Sequence, residues 1–381
     1  MKKKNILMIL FTLIINALVS SIIVMKNSDT SEELLDKKEE NIVTKNAFAI
    51  MVEDDDGYVK SDSNIWPSGM ILNEELTNCV DINNNKVENA LSYEDNSIIV
   101  ETNKKIFCYV YFDRTFGQYL IDNPTNELNT TLEGGLYRYQ GTNGNVNNYI
   151  CFGTSDKDTC LENTDAHMYR IMGITEDGII KILKKEALNS TMSWYGNYSL
   201  NITWPYSTVY TNINGDLFLT NATYVPNGWE DRIEIESWKY GDNNNVNITA
   251  TELYNIENSW QDTIDAKIGL MYAHDYAYAF QSEGLNCSAS GLYTTCEKSW
   301  INISQNDSEA PSETEWTMSR YGLISTAYYA WAVNSIGNIL YDHTGITPSV
   351  RPVFYLKSDV EFLNGTGTID NPYLIKGGND E

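Results

Sequence analysis

The chain opens on MKKKNILMILFTLIINALVSSIIVM, three lysines ahead of a long unbroken apolar stretch. About 20 apolar residues, rising ~1.5 Å each as a helix, are enough to cross the hydrocarbon of a bilayer. Asn16 is the one strongly polar residue inside the stretch. Lysines before it and acidic residues after it place the start in the cytoplasm and everything downstream outside. A cleaved signal peptide is the competing reading, but the stretch is long for one and no clean small-x-small site follows. Residues 1–25 are therefore expected to be a transmembrane anchor. This makes a single-pass protein of the cell membrane with its C-terminal part extracellular, or a secreted one if the segment is cleaved.

Export sets how the cysteines and charges are read. The six cysteines, Cys79, Cys108, Cys151, Cys160, Cys287 and Cys296, are an even set outside the membrane and read as disulfides. Proximity suggests Cys79–Cys108, Cys151–Cys160 and Cys287–Cys296, although six cysteines allow about 15 pairings. Each of the two short loops is worth roughly 2–3 kcal/mol in the loop-entropy model. A zinc site needs closer pairs such as C-x2-C, which the sequence lacks. The chain carries 52 acidic against 26 basic side chains, a net charge of −26. Such a surface repels a phosphate backbone, so no nucleic-acid partner is expected. The 26 tyrosines and nine tryptophans argue for a folded core.

Beyond the anchor, residues 26–45 are charged, lack aromatics and read as a stalk. Residues 46–112 read as a small all-β unit. AFAIMVEDDDGYVKSD has the apolar–turn–apolar pattern of a hairpin, and SIIVETNKKIFCYVYFD that of a second, turning near Asn103. Alternation of Ile106, Cys108 and Val110 with Phe107, Tyr109 and Tyr111 suits a strand packed on both faces. EDDDG and DINNNKVENALS lack the ligand positions of a calcium loop and read as turns. Residues 113–381 contain no linker and combine short strands, short helices and Asn-rich loops, an α+β pattern. RTFGQYLIDN predicts a helix, HMYRIMGITEDGIIKILKK a hairpin, residues 207–219 a helical patch, and TATELYNI a capping box.

NYICFG, MYRIMGI, KIGLMYAHDYAYA, EWTMSR and RPVFYLKSDVEFLNGTGTIDNPYLI together resemble a group of anchored surface proteins of gut-dwelling Gram-positive bacteria. The large domain is similar to the C-type-lectin-like fold shared with the formylglycine-generating-enzyme superfamily. The resemblance implies a loop-rich head whose first and last strands pair, with Arg351 anchoring the closing strand and GTGT making its final turn. The superfamily's oxidases bind copper through a late cysteine pair. No cysteine follows Cys296, so this activity is not carried over. No cofactor and no metal are expected.

The sequence assembles no catalytic set. His274 precedes Asp275, but neighbours on a helix do not face one another, so the pair is read as incidental. GTGTIDNP lacks the Lys-Ser or Lys-Thr of a phosphate loop and reads as a structural seam. Binding has better material in Trp300, Trp316, Arg320, Tyr321 and Trp331, which cluster in sequence with Tyr328 and Tyr329. Aromatic faces stack on sugar rings, although alternate members of AYYAWAV also suit a core strand. The expected function is cell-surface adhesion or binding of an extracellular ligand, a host or cell-surface glycan or protein. An exported hydrolase acting on glycans or peptidoglycan, or a structural surface-assembly subunit, is the alternative.

Overall fold

The computed structural model describes residues 47–377 apart from 55, 64, 95–96, 143–145, 196–201, 246–248, 280–298, 308 and 323–328. The expected anchor and stalk, Cys287, Cys296 and Tyr328 lie outside the described residues. Among the described residues no helix is long and apolar enough to cross a membrane. The chain divides into a small unit that takes in Asn78–Cys108 and a large one that takes in Ala49–Thr77 and Tyr109–Glu381.

Among the described residues up to Arg114 every regular element is a strand. β1 (Ala47–Asp54) turns through Gly57, whose φ of 124° few other residues adopt, into β2 (Gly57–Lys60), as the Asp-Gly signal predicts. β3 (Met70–Asp81) leads into the small unit, which holds β4 (Leu91–Glu94), β5 (Ser97–Val100) and the disulfide Cys79–Cys108. The second expected hairpin forms differently. β5 pairs back onto β4, with Glu94 opposite Ser97, instead of forward onto β6 (Ile106–Arg114), because the connection between β4 and β5 is the shorter loop to close. A four-stranded sheet runs in the order β2-β1-β6-β3. β6 is one-sided rather than packed on both faces: Ile106, Cys108, Val110 and Phe112 are buried, while Phe107 and Tyr109 are each 39% exposed. DINNNK is a turn in which the Asp81 carboxylate accepts the Asn83 and Asn85 backbone N–H groups.

The large unit continues with α1 (Phe116–Asp122), capped by Thr115, whose hydroxyl accepts the Gln118 N–H. Its principal sheet is built from β7 (Leu128–Glu133), β8 (Leu136–Tyr139), β9 (Tyr149–Cys151), β10 (Met168–Ile174) and β11 (Ile180–Lys184). Two short helices, α2 (Lys157–Glu162) and α3 (Thr164–His167), separate β9 from β10, and the disulfide Cys151–Cys160 ties α2 to β9. Every residue of β10 and β11 is buried, so these strands pack on both faces. After α4 (Thr208–Ile213), β12 (Glu236–Tyr240) and β13 (Asp262–Ala266) form a hairpin interrupted by α5 (Ala250–Asn258), the longest described helix at nine residues. α5 begins with the expected capping box between Thr249 and Glu252. Then come α6 (Ala273–Tyr278), α7 (Ile303–Asn306) and a three-stranded sheet of β14 (Thr314–Tyr321), β15 (Tyr329–Asn334) and β16 (Ile339–His343). β17 (Val353–Leu356) completes the principal sheet in the order β17-β11-β10-β8-β7, with β9 sharing an edge of β10 with β8.

The chain end is a seam, made differently from the lectin-like expectation. β17 pairs with β11, and β7 lies at the opposite edge, so the first and last strands of the principal sheet do not pair. Closure comes instead from β18 (Phe362–Asn364) and β19 (Leu374–Ile375). Tyr373 exchanges backbone hydrogen bonds of 2.9 Å with Tyr149 and Cys151. The GTGT turn between them accepts the Tyr149 N–H at the Gly367 carbonyl, 2.9 Å. Gly367 has φ of 73°, and a Cβ there would stand 2.5 Å from the Tyr373 ring and 2.6 Å from the Asn147 carbonyl. Arg351 anchors β17 as expected: its Nε and Nη2 each lie 2.6 Å from the Glu315 carboxylate, with both side chains 1% exposed. Gly367→Ala is therefore expected to destabilise the large unit by more than about 1 kcal/mol, measured as a lower denaturant midpoint at unchanged slope.

Candidate functional site

Three segments far apart in the chain converge on one carboxylate. Asp275 lies in the first turn of α6 and is fully buried. Lys181 of β11 donates to its Oδ2 at 2.6 Å, and Arg138 of β8 donates to its Oδ1 at 2.9 Å. The Tyr272 backbone N–H adds a third bond to Oδ2, 2.9 Å. Burial alone would raise the Asp275 pKa. Lys181, then His274 and Arg138, outweigh it and hold the carboxyl well below the usual range. Burial likewise opposes the Lys181 charge, yet Asp275 lifts that ammonium above its ordinary value. The Lys181 ammonium lies 5.1–5.7 Å from the ring centres of Tyr272, Tyr355 and Trp238, an aromatic cage filled by the protein's own cation.

The hairpin β7–β8 holds the Arg138 fork. Gly134 and Gly135 form its two-residue turn with φ of 56° and 79°, the paired positive values of a type I′ turn. Arg138 Nε donates to the Glu133 carbonyl at 2.7 Å and Nη2 to the Gly134 carbonyl at 3.0 Å. A Cβ on Gly134 would stand 2.8 Å from the Tyr278 ring and 3.0 Å from Nη2. Small residues here let the turn close over the guanidinium.

His274 belongs to the same network. Its Nδ1 lies 2.5 Å from Glu257 Oε2 on α5, and its Nε2 3.4 Å from Asp275 Oδ1. Glu257, 1% exposed, also accepts the Ser319 hydroxyl and the backbone N–H groups of Ala273 and His274. The imidazole stacks on Tyr272 at 5.1 Å and meets the edge of Tyr254 at 5.2 Å. Above this floor is a cleft of about 210 Å³ walled by Trp238, Tyr254, Tyr272 and Tyr355 and rimmed by Glu236, Lys239 and Asn258. Burial raises the pKa of Glu236, a carboxyl on the β12 wall. Both ring nitrogens of His274 face carboxylates, so neither is presented to a substrate proton. Among the described residues no group of three His, Cys, Asp or Glu side chains is placed to hold a metal ion.

The tryptophans that the sequence offers as sugar-stacking faces are core. Trp300, Trp316 and Trp331 are at most 1% exposed, and their indole N–H groups donate to the carbonyls of Tyr139, Met192 and Asn243 at 3.0, 2.8 and 3.0 Å. Satisfied and enclosed, they show no face to a ligand. Arg320 is turned onto Asp242, with Nη2 2.6 Å from Oδ2. Tyr321 is 8% exposed, stacks on Tyr341 at 4.0 Å and meets the edge of Trp331 at 5.5 Å. Tyr321 and Trp331 come together, while Trp300 packs on Arg170 and Trp316 on Trp194.

Sequence reasoning missed Arg138, Lys181, Glu257, Tyr254, Tyr272 and Tyr355. One signal was available. Tyr254 and Glu257 stand three apart on the helix opened by the capping box, and so share a face. No family model matches the chain, and neither a curated protein nor a solved structure is similar to it.

Asp275→Asn leaves Arg138 and Lys181 without their counter-charge and is expected to cost ~3–5 kcal/mol at pH 7. Because the folded carboxyl has the lower pKa, it stabilises the fold above about pH 4. That contribution falls by about 1.4 kcal/mol per pH unit as pH drops below this value. Denaturant melts between pH 7 and 2 should show a shallower acid loss for Asp275→Asn than for the native chain.

Proposed function

We propose that the protein is a membrane-anchored, extracellular binding protein whose ligand enters the cleft walled by Tyr254, Tyr272 and Tyr355. The anchor and its orientation rest on the lysine-flanked apolar segment at residues 1–25. Both described disulfides agree with an oxidising compartment. One observation carries the binding reading: the ionic floor is closed on itself. Asp275 and Glu257 have their charge partners inside the network, and the His274 nitrogens face carboxylates. What remains for a ligand is aromatic wall and polar rim, a surface suited to a neutral or weakly polar ring such as a sugar. The lectin-like kinship belongs to this proposal on the same footing, as a loop-rich scaffold that displays a site.

A glycan and matrix-protein array probed with the full chain in detergent tests it. Binding should survive chelation and fall about tenfold in Tyr254→Ala, whose ring lies at the cleft wall. Trp316→Phe, a core change, should leave the ligand profile as it is. Silence of the native chain across the array, or binding indifferent to Tyr254, would remove the cleft from consideration.

A further inference from the structure

Of the charged side chains that line the cleft, all but one have their bonding inside the protein. Arg138 and Lys181 are bound to Asp275, and Glu257 to His274. The Lys239 ammonium donates to the Asn258 carbonyl and Oδ1 at 2.7 and 2.8 Å. Glu236, half-buried at the start of β12, is the exception. Its carboxylate meets the Ser237 backbone N–H and, among the described residues, forms no ion pair. Lys181, the cation that acts on it, is already committed to Asp275. Burial raises its pKa, so the charged form has too few donors to offset the water it has lost.

The backbone sets where this carboxylate stands. The Glu234 N–H donates to the Tyr355 carbonyl at 2.8 Å, which lays the start of β12 beside β17. The strand period puts Glu236 and Trp238 on one face, and the Trp238 ring packs 5.5 Å from that of Tyr355. Two wall residues have already spent their donors. The Trp238 indole N–H goes to the Ala266 carbonyl at 3.0 Å, and the Tyr272 hydroxyl to the Lys239 carbonyl at 2.8 Å.

Charge and size narrow the ligand. A cation entering the cleft would meet Arg138, Lys181 and Lys239, and an anion would meet Glu236 and Glu257. A neutral molecule that donates hydrogen bonds is opposed by neither. At about 210 Å³ the cleft is smaller than the roughly 300–1,000 Å³ usual for drug-sized ligands, and takes one ring. A carboxylate has two oxygens with which to accept from hydroxyls on neighbouring ring carbons, and such charge-assisted bonds are short and strong.

We propose that Glu236 is the specificity-determining residue of the cleft, its carboxylate accepting hydrogen bonds from two adjacent hydroxyls of a single neutral sugar ring held against Tyr254. The inference rests on the cleft being the binding site.

The test titrates the full chain in detergent with the methyl glycosides of glucose, galactose, mannose and N-acetylglucosamine, then with monodeoxy forms of whichever binds. In the native chain, removing one of the two recognised hydroxyls should weaken binding about tenfold. In Glu236→Ala that penalty should shrink to about twofold or less, with Glu236→Gln, which keeps one acceptor oxygen, between the two. A merely structural role would weaken the parent glycoside and its deoxy forms alike and leave their ratio unchanged. A deoxy penalty that persists in Glu236→Ala, while Tyr254→Ala still weakens the parent, overturns the role of Glu236 and leaves the cleft standing. Absence of binding of every glycoside to the native chain overturns both.

Discussion

One buried carboxylate with two cations governs the interior of the large unit. Among the described residues Asp275 is the acid that Arg138 and Lys181 share, and each of those side chains is at most 3% exposed. Three ions withdrawn from water would ruin a core of this size if any were unpaired. The arrangement therefore forces α6 to dock with its first turn against β8 and β11. The Gly134–Gly135 turn must close over the guanidinium, and three aromatic rings must wrap the ammonium. The cleft is a by-product of this docking, because α5, tied to α6 through Glu257 and His274, is held at a set distance from β12.

The same solution recurs with different partners. Arg351 has its own buried acid in Glu315. Arg170, fully buried on β10, has none among the described residues and is held by neutral acceptors. Asn148 and Asn306 take its N–H groups at 2.6 and 2.9 Å, and Tyr149 and Trp300 cover its faces at 3.9 and 4.8 Å. A guanidinium tolerates this better than an ammonium would, being planar, weakly hydrated and suited to stacking. A chain of net charge −26 thus keeps several of its few cations inside, and its acids dominate the surface that remains.

Local chemistry was legible from the residues alone. The Asp-Gly hairpin, the Thr249–Glu252 capping box, the β10–β11 hairpin and the closing glycines each depend on neighbours within a few positions. Whatever depends on long-range pairing was not. Lys181 and Asp275 are 94 positions apart, and nothing near either announces the other. The tryptophans failed for a related reason. An indole suits a sugar platform or a core equally well until its N–H finds a carbonyl, and for Trp316 that carbonyl belongs to Met192, 124 positions away. The β5 pairing shows the converse limit, since β5 had a neighbour on either side in sequence and paired with the one across the shorter connection.

The adjacency of His274 and Asp275 shows how far a local rule reaches. Consecutive helical residues point apart, and on that ground the pair carries no catalytic signal. In the fold the two side chains take different main partners: Asp275 pairs with Arg138 and Lys181, and His274 with Glu257. Yet the imidazole lies between two carboxylates, 2.5 Å from one and 3.4 Å from the other. A general base needs a nitrogen turned towards its substrate, and this geometry spends both nitrogens on holding α5 to α6. Proximity of a histidine to acids is thus the structural glue of the cleft wall, where the half-buried ring of Tyr254 lies against the imidazole.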